Sequence, residues 1–440
     1  MGRKQFTALS LQAFLGMAMV LLFIVRPAHA SPFSLLSSVG GRHSLAQPHP
    51  LFPDSAVVFS SSAVGFDVVA YVAQADGYFS DYQQYMNSTG WTSGAEVLAR
   101  IALENSINPR LILALLEYRC ACVLGVPSQK IDGNYLMGVM DPRREGLYRQ
   151  LGTIVNWLSQ GYYGWRSGAL HEIRFSDDST LPLTPSSNAG TVALQYLFAQ
   201  LYDRAGWERA LDPEEGFLAL YQRMFGDPWQ QPGLIEPPLP EVLVQPLFIL
   251  PFEVGQLWSY TSGPHKAWET EGALAALDFA PASDRSGCIP SRAWVTAVAN
   301  GLIVRARHGA VVLDLDGDGL EQTGWTVLYM HIAEHERVAV GVYLHAGERI
   351  GHPSCEGGPA SGTHLHIARK YNGEWVLADG TVPLVMDGWT AHAGVKPFEG
   401  TLTQNNQTIT AHPFSSRETY IVRRAENPSP EKRESRNGCE

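Results

Sequence analysis

Two histidines, His364 and His366, flank a single leucine in the run SGTHLHIARK, and their spacing is the first feature of this chain suited to chemistry. Side chains alternate faces along a strand, so both imidazoles are expected on one side, with Leu365 and Ile367 on the other. A lone histidine there would read as a hydrogen-bonded structural residue, whereas a pair on one face can share a metal. Other ligands must then be found. GALAALDFAP sets Asp278 between Leu277 and Phe279, so inward packing of those two turns the carboxylate to the opposite face. Burying it is costly unless a metal or nearby amides compensate the charge. TSGPHKAWE presents His265 directly after Gly-Pro, on a loop that cannot be a regular strand interior. In WTVLYMHIAEH, alternation puts Val327, Tyr329 and His331 on one face and Leu328, Met330 and Ile332 on the other, so His331 is expected at the same groove.

The elements that must position these residues are β. From Pro251 onward, short alternating or β-branched runs (WVTAVANGLIVRARHG, AVVLDL, GWTVLYMHI, GTHLHIARKY, GEWVLA) are separated by Gly, Asp and Pro, which predicts a predominantly antiparallel β domain over 251–424. Upstream the texture is helical. Ser93 and Glu96 stand at capping-box spacing ahead of Val97, Leu98, Ile101 and Ala102, and Asn108-Pro109 opens RLILALLEY. EGLYRQLGTIVNWLSQG, AGTVALQYLFAQLYDRAG and PEEGFLALYQRMFG fit further helices, giving an all-helical domain at 61–228. Six prolines in the stretch from Trp229 through Pro251 predict an extended linker over 229–250. The fold class is therefore a multidomain α and β chain, helical first and β second.

Residues 1–30 combine a basic start, an apolar run from Phe14 to Val25 and a terminal AHA, the pattern of a cleaved secretory signal; no other segment reads as membrane-spanning. Residues 31–60 read as a flexible lead-in, and 425–440 as a disordered tail. A net charge of −11, more negative once Arg3, Lys4 and Arg26 are removed with the signal, excludes a nucleic-acid surface. Oligomeric state is not legible. Five cysteines in an exported chain permit disulfides. Cys288 with Cys355 is the expected pair, both falling in the β domain, whereas Cys120 and Cys122 are too close for an easy bridge and Cys439 is left over.

The three motifs around His265 to Asp278, His331 and His364-x-His366, in that order, resemble the lysostaphin-type zinc endopeptidases, which cut peptide bridges in bacterial cell walls. The resemblance covers about 251–400 and implies that His265, Asp278 and His366 hold one zinc ion, leaving the fourth position open. It implies catalytic roles for His331 and His364 in proton transfer or oxyanion stabilisation. His265 and Asp278 are thirteen positions apart, a spacing longer than the short form of that motif that resembles the LasA-type staphylolytic branch. The implied substrate is peptidoglycan or a glycine-rich peptide. Degenerate relatives that only bind walls or activate amidases lack ligands, whereas all five matched positions are kept here, which favours an enzyme.

Two further signals stand apart from that site. DLDGDGLEQTGW spaces Asp314, Asp316 and Asp318 alternately before Gly319, the opening of a calcium loop; the twelfth position is Trp325 where a bidentate Glu is expected, and Glu321 is the nearest substitute. A solvated Asp-Gly hairpin accounts for the same residues. The helical part is similar to lysozyme-like transglycosylases in INPRLILALLEYRC, but Arg119 stands where their catalytic acid belongs and Glu117 is two residues early. A degenerate module is implied, wall-recognising or inhibitory, with a pro-segment as one form of the latter. Tyr162, Tyr163 and Trp165 suit sugar stacking or core packing.

Overall fold

A computed structural model describes residues 50–268, 272–282 and 287–425. The expected leader at 1–30, residues 31–49 of the lead-in, residues 426–440 of the tail and Cys439 lie outside them. Ser93 and Glu96 close a capping box on helix α1 (Gly94–Asn105): the Glu96 N–H donates to Ser93 Oγ at 3.3 Å, and the Ser93 N–H donates to the Glu96 carboxylate at 3.0 Å. Asn108 accepts from the Arg110 N–H at 3.0 Å to start α2 (Pro109–Cys120). Three more long helices follow, α3 (Leu147–Arg166), α4 (Ala189–Leu201) and α5 (Phe217–Phe225). The α4 run stops short of its apolar pattern because Asp203 caps a separate short helix, Arg204–Ala210, accepting the Gly206 N–H at 2.8 Å.

Residues 50–60 depart from the flexible lead-in expected of them. Phe52, Val57 and Val58 are fully buried, and the Asp54 carboxylate accepts the Gly190 N–H at 2.7 Å. The segment is too short for a periodic pattern, so its burial is invisible without its partners. Cys120 and Cys122 are disulfide-bonded, contrary to the expectation that they stand too close, because the helix ends between them and Ala121 adopts a left-handed conformation (φ 49°). The aromatic run of α3 packs inward: Tyr162 and Tyr163 are buried, which answers the choice between sugar stacking and core packing for those two. Arg119 donates to the Met137 carbonyl at 2.9 Å and to the Tyr202 hydroxyl at 2.5 Å, while Glu117 accepts the N–H groups of Val123 and Leu124.

The β part is an antiparallel sheet built from β1 (Leu257–Lys266), β2 (Leu274–Pro281), β3 (Gly301–Arg307), β4 (Ala310–Asp314), β5 (Trp325–Met330) and β6 (Leu365–Tyr371). Their spatial order is β3-β4-β5-β6-β2-β1, with short edge pairs at Tyr343–Leu344 and Tyr420–Val422. Leu277, Phe279, Leu313, Val327, Tyr329, Leu365 and Ile367 fill one face and form the β core. Ala276, Val312, Leu328 and Ala368 on the other face join the core of the helical part. The helices and one face of the sheet thus share an apolar core, and the expected boundary between two domains is a packed interface. The segment from 229 to 250 is extended along it, with the Asn372 amide donating to the Pro238 carbonyl at 3.0 Å and Gln245 donating to the Val385 carbonyl at 2.7 Å.

A polar clamp crosses that interface at the turn after β6. The Tyr162 hydroxyl and the Arg166 guanidinium donate to the Glu374 carboxylate at 2.9 and 2.8 Å, and Arg166 also pairs with Asp54 at 3.2 Å. The Trp375 N–H donates to the Tyr163 hydroxyl at 3.1 Å. Burial pushes the Glu374 carboxyl up to about 7, with Arg166 and Tyr162 pulling it down and Asp54 adding to the rise. A carboxyl raised from 4.5 in the unfolded chain to about 7 in the folded one keeps its proton on folding, so its own contribution to stability is fullest below pH 4.5 and is lost as pH rises to 7. The Glu374 contribution to that decline is about 3 kcal/mol. Glu374→Gln is expected to flatten the urea-unfolding midpoint across this window relative to wild type; parallel pH profiles for the two proteins would refute the assignment.

Candidate metal centre

The site forms where β6, β2 and β1 run side by side. His366 is the register partner of Asp278, and Leu365 and Ile367 pair with Phe279 and Leu277, so the apolar residues go to the β core and the histidine and carboxylate to the opposite face. His265, expected on a loop, instead lies near the end of β1, which admits Gly263-Pro264 because its ladder with β2 shifts register there. Gly263, two residues earlier, is required there: a Cβ would lie 2.4 Å from the Glu399 carbonyl oxygen.

His331 reaches the site by a route that alternation does not give. Strand β5 ends at Met330, the partner of His366, while Tyr329 points into the β core. Strict alternation on the face shared with Val327 and Tyr329 would therefore send His331 into that core and not to the groove expected of it. Instead His331 takes a left-handed conformation (φ 64°), which turns its ring out of the strand pattern, 4.3 Å from His364 and 6.1 Å from His366 between centroids. Such a conformation in a non-glycine residue persists only where surrounding contacts hold it. Here the Ser354 N–H and hydroxyl donate to the His331 carbonyl at 2.7 and 2.9 Å. His364 also lies just outside regular strand, bridged to Ser354, and β6 begins at Leu365.

His265, Asp278, His366 and His331 are all buried. Four main-chain carbonyls fix the imidazoles. His265 and His364 each donate Nδ1–H to the glycine two residues before them, Gly263 at 2.9 Å and Gly362 at 2.7 Å. His331 donates Nδ1–H to the Glu356 carbonyl at 2.8 Å, and His366 donates Nε2–H to the Ala267 carbonyl at 3.0 Å. The free nitrogens are then His265 Nε2, His366 Nδ1, His364 Nε2 and His331 Nε2. His265 Nε2 and His366 Nδ1 stand 3.0 Å apart, and each is 3.2 Å from Asp278 Oδ1. Three lone-pair atoms so close repel one another unless a cation sits among them. Asp278 Oδ1 is buried without a hydrogen-bond partner.

A tetrahedral zinc site with ligand bonds of about 2.0–2.1 Å has ligand-to-ligand edges of roughly 3.3 Å, so the donor set fits that ion. Burial opposes the charge on Asp278, yet His265, His366 and His364 hold its carboxyl well below the usual range. Burial lowers His366, whereas at His265 burial is outweighed by Asp278, which raises it. Burial, followed by His364 and His366, pushes His331 down to about 4, so its imidazole is neutral at pH 7.

Cys288 and Cys355 are disulfide-bonded, with Cα atoms 5.7 Å apart. The bond anchors the segment whose neighbours Ser354 and Glu356 hold His331. Two contributors escaped sequence reading. Phe398 stacks on the His265 ring at 4.6 Å from the far end of the chain, and the Gly-x-His pattern, present in both GPH and GTH, was the available signal for the carbonyls that fix His265 and His364. Asp314, Asp316 and Asp318 do not join this site; they lie at the opposite end of the β4–β5 hairpin. His308 occupies the tight β3–β4 turn, and His352 is hydrogen-bonded to the Ala293 carbonyl and Glu336.

Residues 50–238 match the family described as LasA, N-terminal domain. The chain is 24% identical over 349 residues to Protease LasA of Pseudomonas aeruginosa (strain UCBPP-PA14), covering 74% of this chain and 75% of that protein. Among solved structures, the M23 metalloprotease pseudoalterin from the deep sea is 21% identical, with a TM-score of 0.32 over 38% of this chain and 96% of its own. The lysostaphin catalytic domain from Staphylococcus simulans is 26% identical, with a TM-score of 0.20 over 28% of this chain and 87% of its own.

Proposed function

We propose that this chain, a LasA-type metalloendopeptidase, is exported and uses one zinc ion to hydrolyse peptide bonds in peptidoglycan cross-bridges or similar glycine-rich peptides. The observation that carries the reading is the triangle of His265 Nε2, Asp278 Oδ1 and His366 Nδ1, with edges of 3.0 to 3.2 Å and both imidazoles oriented by carbonyls. Zinc held there supplies Lewis acidity towards water and the scissile carbonyl. His364 and His331 are assigned jointly to proton transfer: with Nδ1–H committed to carbonyls, each offers Nε2 to take the proton of the attacking water and return it to the leaving amine. The two disulfides suit an oxidising compartment outside the cytosol. The helical part packs on the same sheet face as the site, which favours a restricting pro-segment over a wall-targeting module.

The test is incubation of the zinc-loaded full chain with purified peptidoglycan and with an oligoglycine peptide, before and after limited proteolysis, followed by identification of new amino termini. New glycine amino termini, absent in the presence of a zinc chelator, are expected. Intact substrate under every condition would sink the reading.

A further inference from the structure

Asp314 is the last residue of β4 and is fully buried. Its Oδ2 accepts the Gly319 N–H at 2.9 Å, but its Oδ1 has no partner. Among the described residues, the buried carboxylate oxygens left in this way are Asp278 Oδ1, in the candidate zinc site, and Asp314 Oδ1. Directly across the ladder from Asp314 stands Thr326, whose hydroxyl is also buried and unpartnered. A buried carboxyl oxygen is not left without compensation, and beyond the Gly319 N–H on Oδ2 the protein supplies no donor to Oδ1. Asp316 and Asp318 bring further carboxylate oxygens to the same place, all three ligand atoms lying within 4.8 Å of one another.

We propose that Asp314, Asp316 and Asp318 bind one calcium ion at the end of the β4–β5 hairpin remote from the histidines. The donors are all oxygen, which selects a hard cation, and a flexible loop suits calcium better than the strict octahedron of magnesium. Gly319 holds the sixth position of the loop in a left-handed conformation (φ 87°), and Leu320 at the seventh would offer its carbonyl. The solvated-hairpin reading explains the contacts of Asp318 with the Leu320 N–H and the Thr323 hydroxyl, but leaves Asp314 Oδ1 unexplained. Glu321, expected as the substitute for a bidentate ligand, is instead bound to Arg305 at 2.8 Å and Lys370 at 3.0 Å in a buried triad, so it is not available. With no bidentate carboxylate at the twelfth position, the site belongs in the weak class, with a Kd of about 10⁻⁴–10⁻³ M, as in extracellular modules. The inference is independent of the peptidase reading, and the ion would order the hairpin whose β5 strand leads to His331.

The test uses the zinc-loaded full chain, freed of calcium and titrated with calcium chloride by calorimetry, with thermal unfolding in 10 mM calcium or magnesium chloride. One saturable site and a rise in Tm of about 2–5 °C with calcium are expected. The double variant Asp316→Asn, Asp318→Asn changes exposed side chains only, so folding is retained, and it should lose at least about tenfold in affinity together with the Tm rise. No calcium-dependent heat up to 10 mM, an equal rise with magnesium, or an unchanged rise in the double variant would each overturn the proposal.

Discussion

His364→Ala is expected to lower kcat/KM by about 10²–10⁴-fold while the protein still binds one zinc ion per chain. The separation of the two effects follows from where the imidazole sits. His364 lies beside the metal triangle: its Nε2 is 3.7 Å from Asp278 Oδ2, and its ring packs 4.3 Å from that of His331. Its Nδ1–H is held by the Gly362 carbonyl, so the nitrogen left free is Nε2, on the side of the ring next to Asp278. Removing it takes away a proton acceptor and no ligand. The measurement is zinc content by atomic emission alongside peptide hydrolysis by the same preparation. Wild-type turnover in the variant would end the assignment, and loss of zinc would move His364 into the ligand set. His331 shares the proposed task, so the double variant should be less damaging than the product of the two single effects.

The second large effect belongs to the proposed zinc ligands. His366→Ala should abolish both stoichiometric zinc binding and hydrolysis, and a chelator should reproduce the loss of hydrolysis in wild type, reversed by added zinc. The substitution removes one corner of the triangle and leaves the buried Asp278 Oδ1 with His265 Nε2 as its one remaining partner in it. The apo variant should also be less stable than apo wild type, by about 1–3 kcal/mol, because the Ala267 carbonyl loses its donor and Asp278 loses a neighbour. Equilibrium dialysis against zinc decides the first point and urea unfolding the second. Full zinc occupancy at wild-type affinity would show that the metal, if bound, sits elsewhere.

How the site was legible differs from residue to residue. Asp278 and His366 follow from period-two alternation, since Leu277, Phe279, Leu365 and Ile367 each bury one face and leave only the other for polar groups. His331 was located at the groove by the same rule, yet the rule gave the wrong face. A left-handed residue after Met330 supplies the turn, and that conformation is held by Ser354, twenty-three positions away. Glu321 was misjudged for a related reason: Arg305 and Lys370 come to it from two other strands. The burial of residues 50–60 likewise depends on helices far downstream.

By itself the sequence determined the helical-then-β order, the capped starts of α1 and α2, and the faces of β2 and β6, because these rest on interactions within a few residues. Only the tertiary structure decided that the helical part closes the face of the sheet on which the histidines lie. It also decided that His331 turns towards them, and that one carboxylate oxygen of Asp314 is sealed without a partner. Each of these depends on contacts between distant segments, whose free energy appears only when both sides are packed and dry.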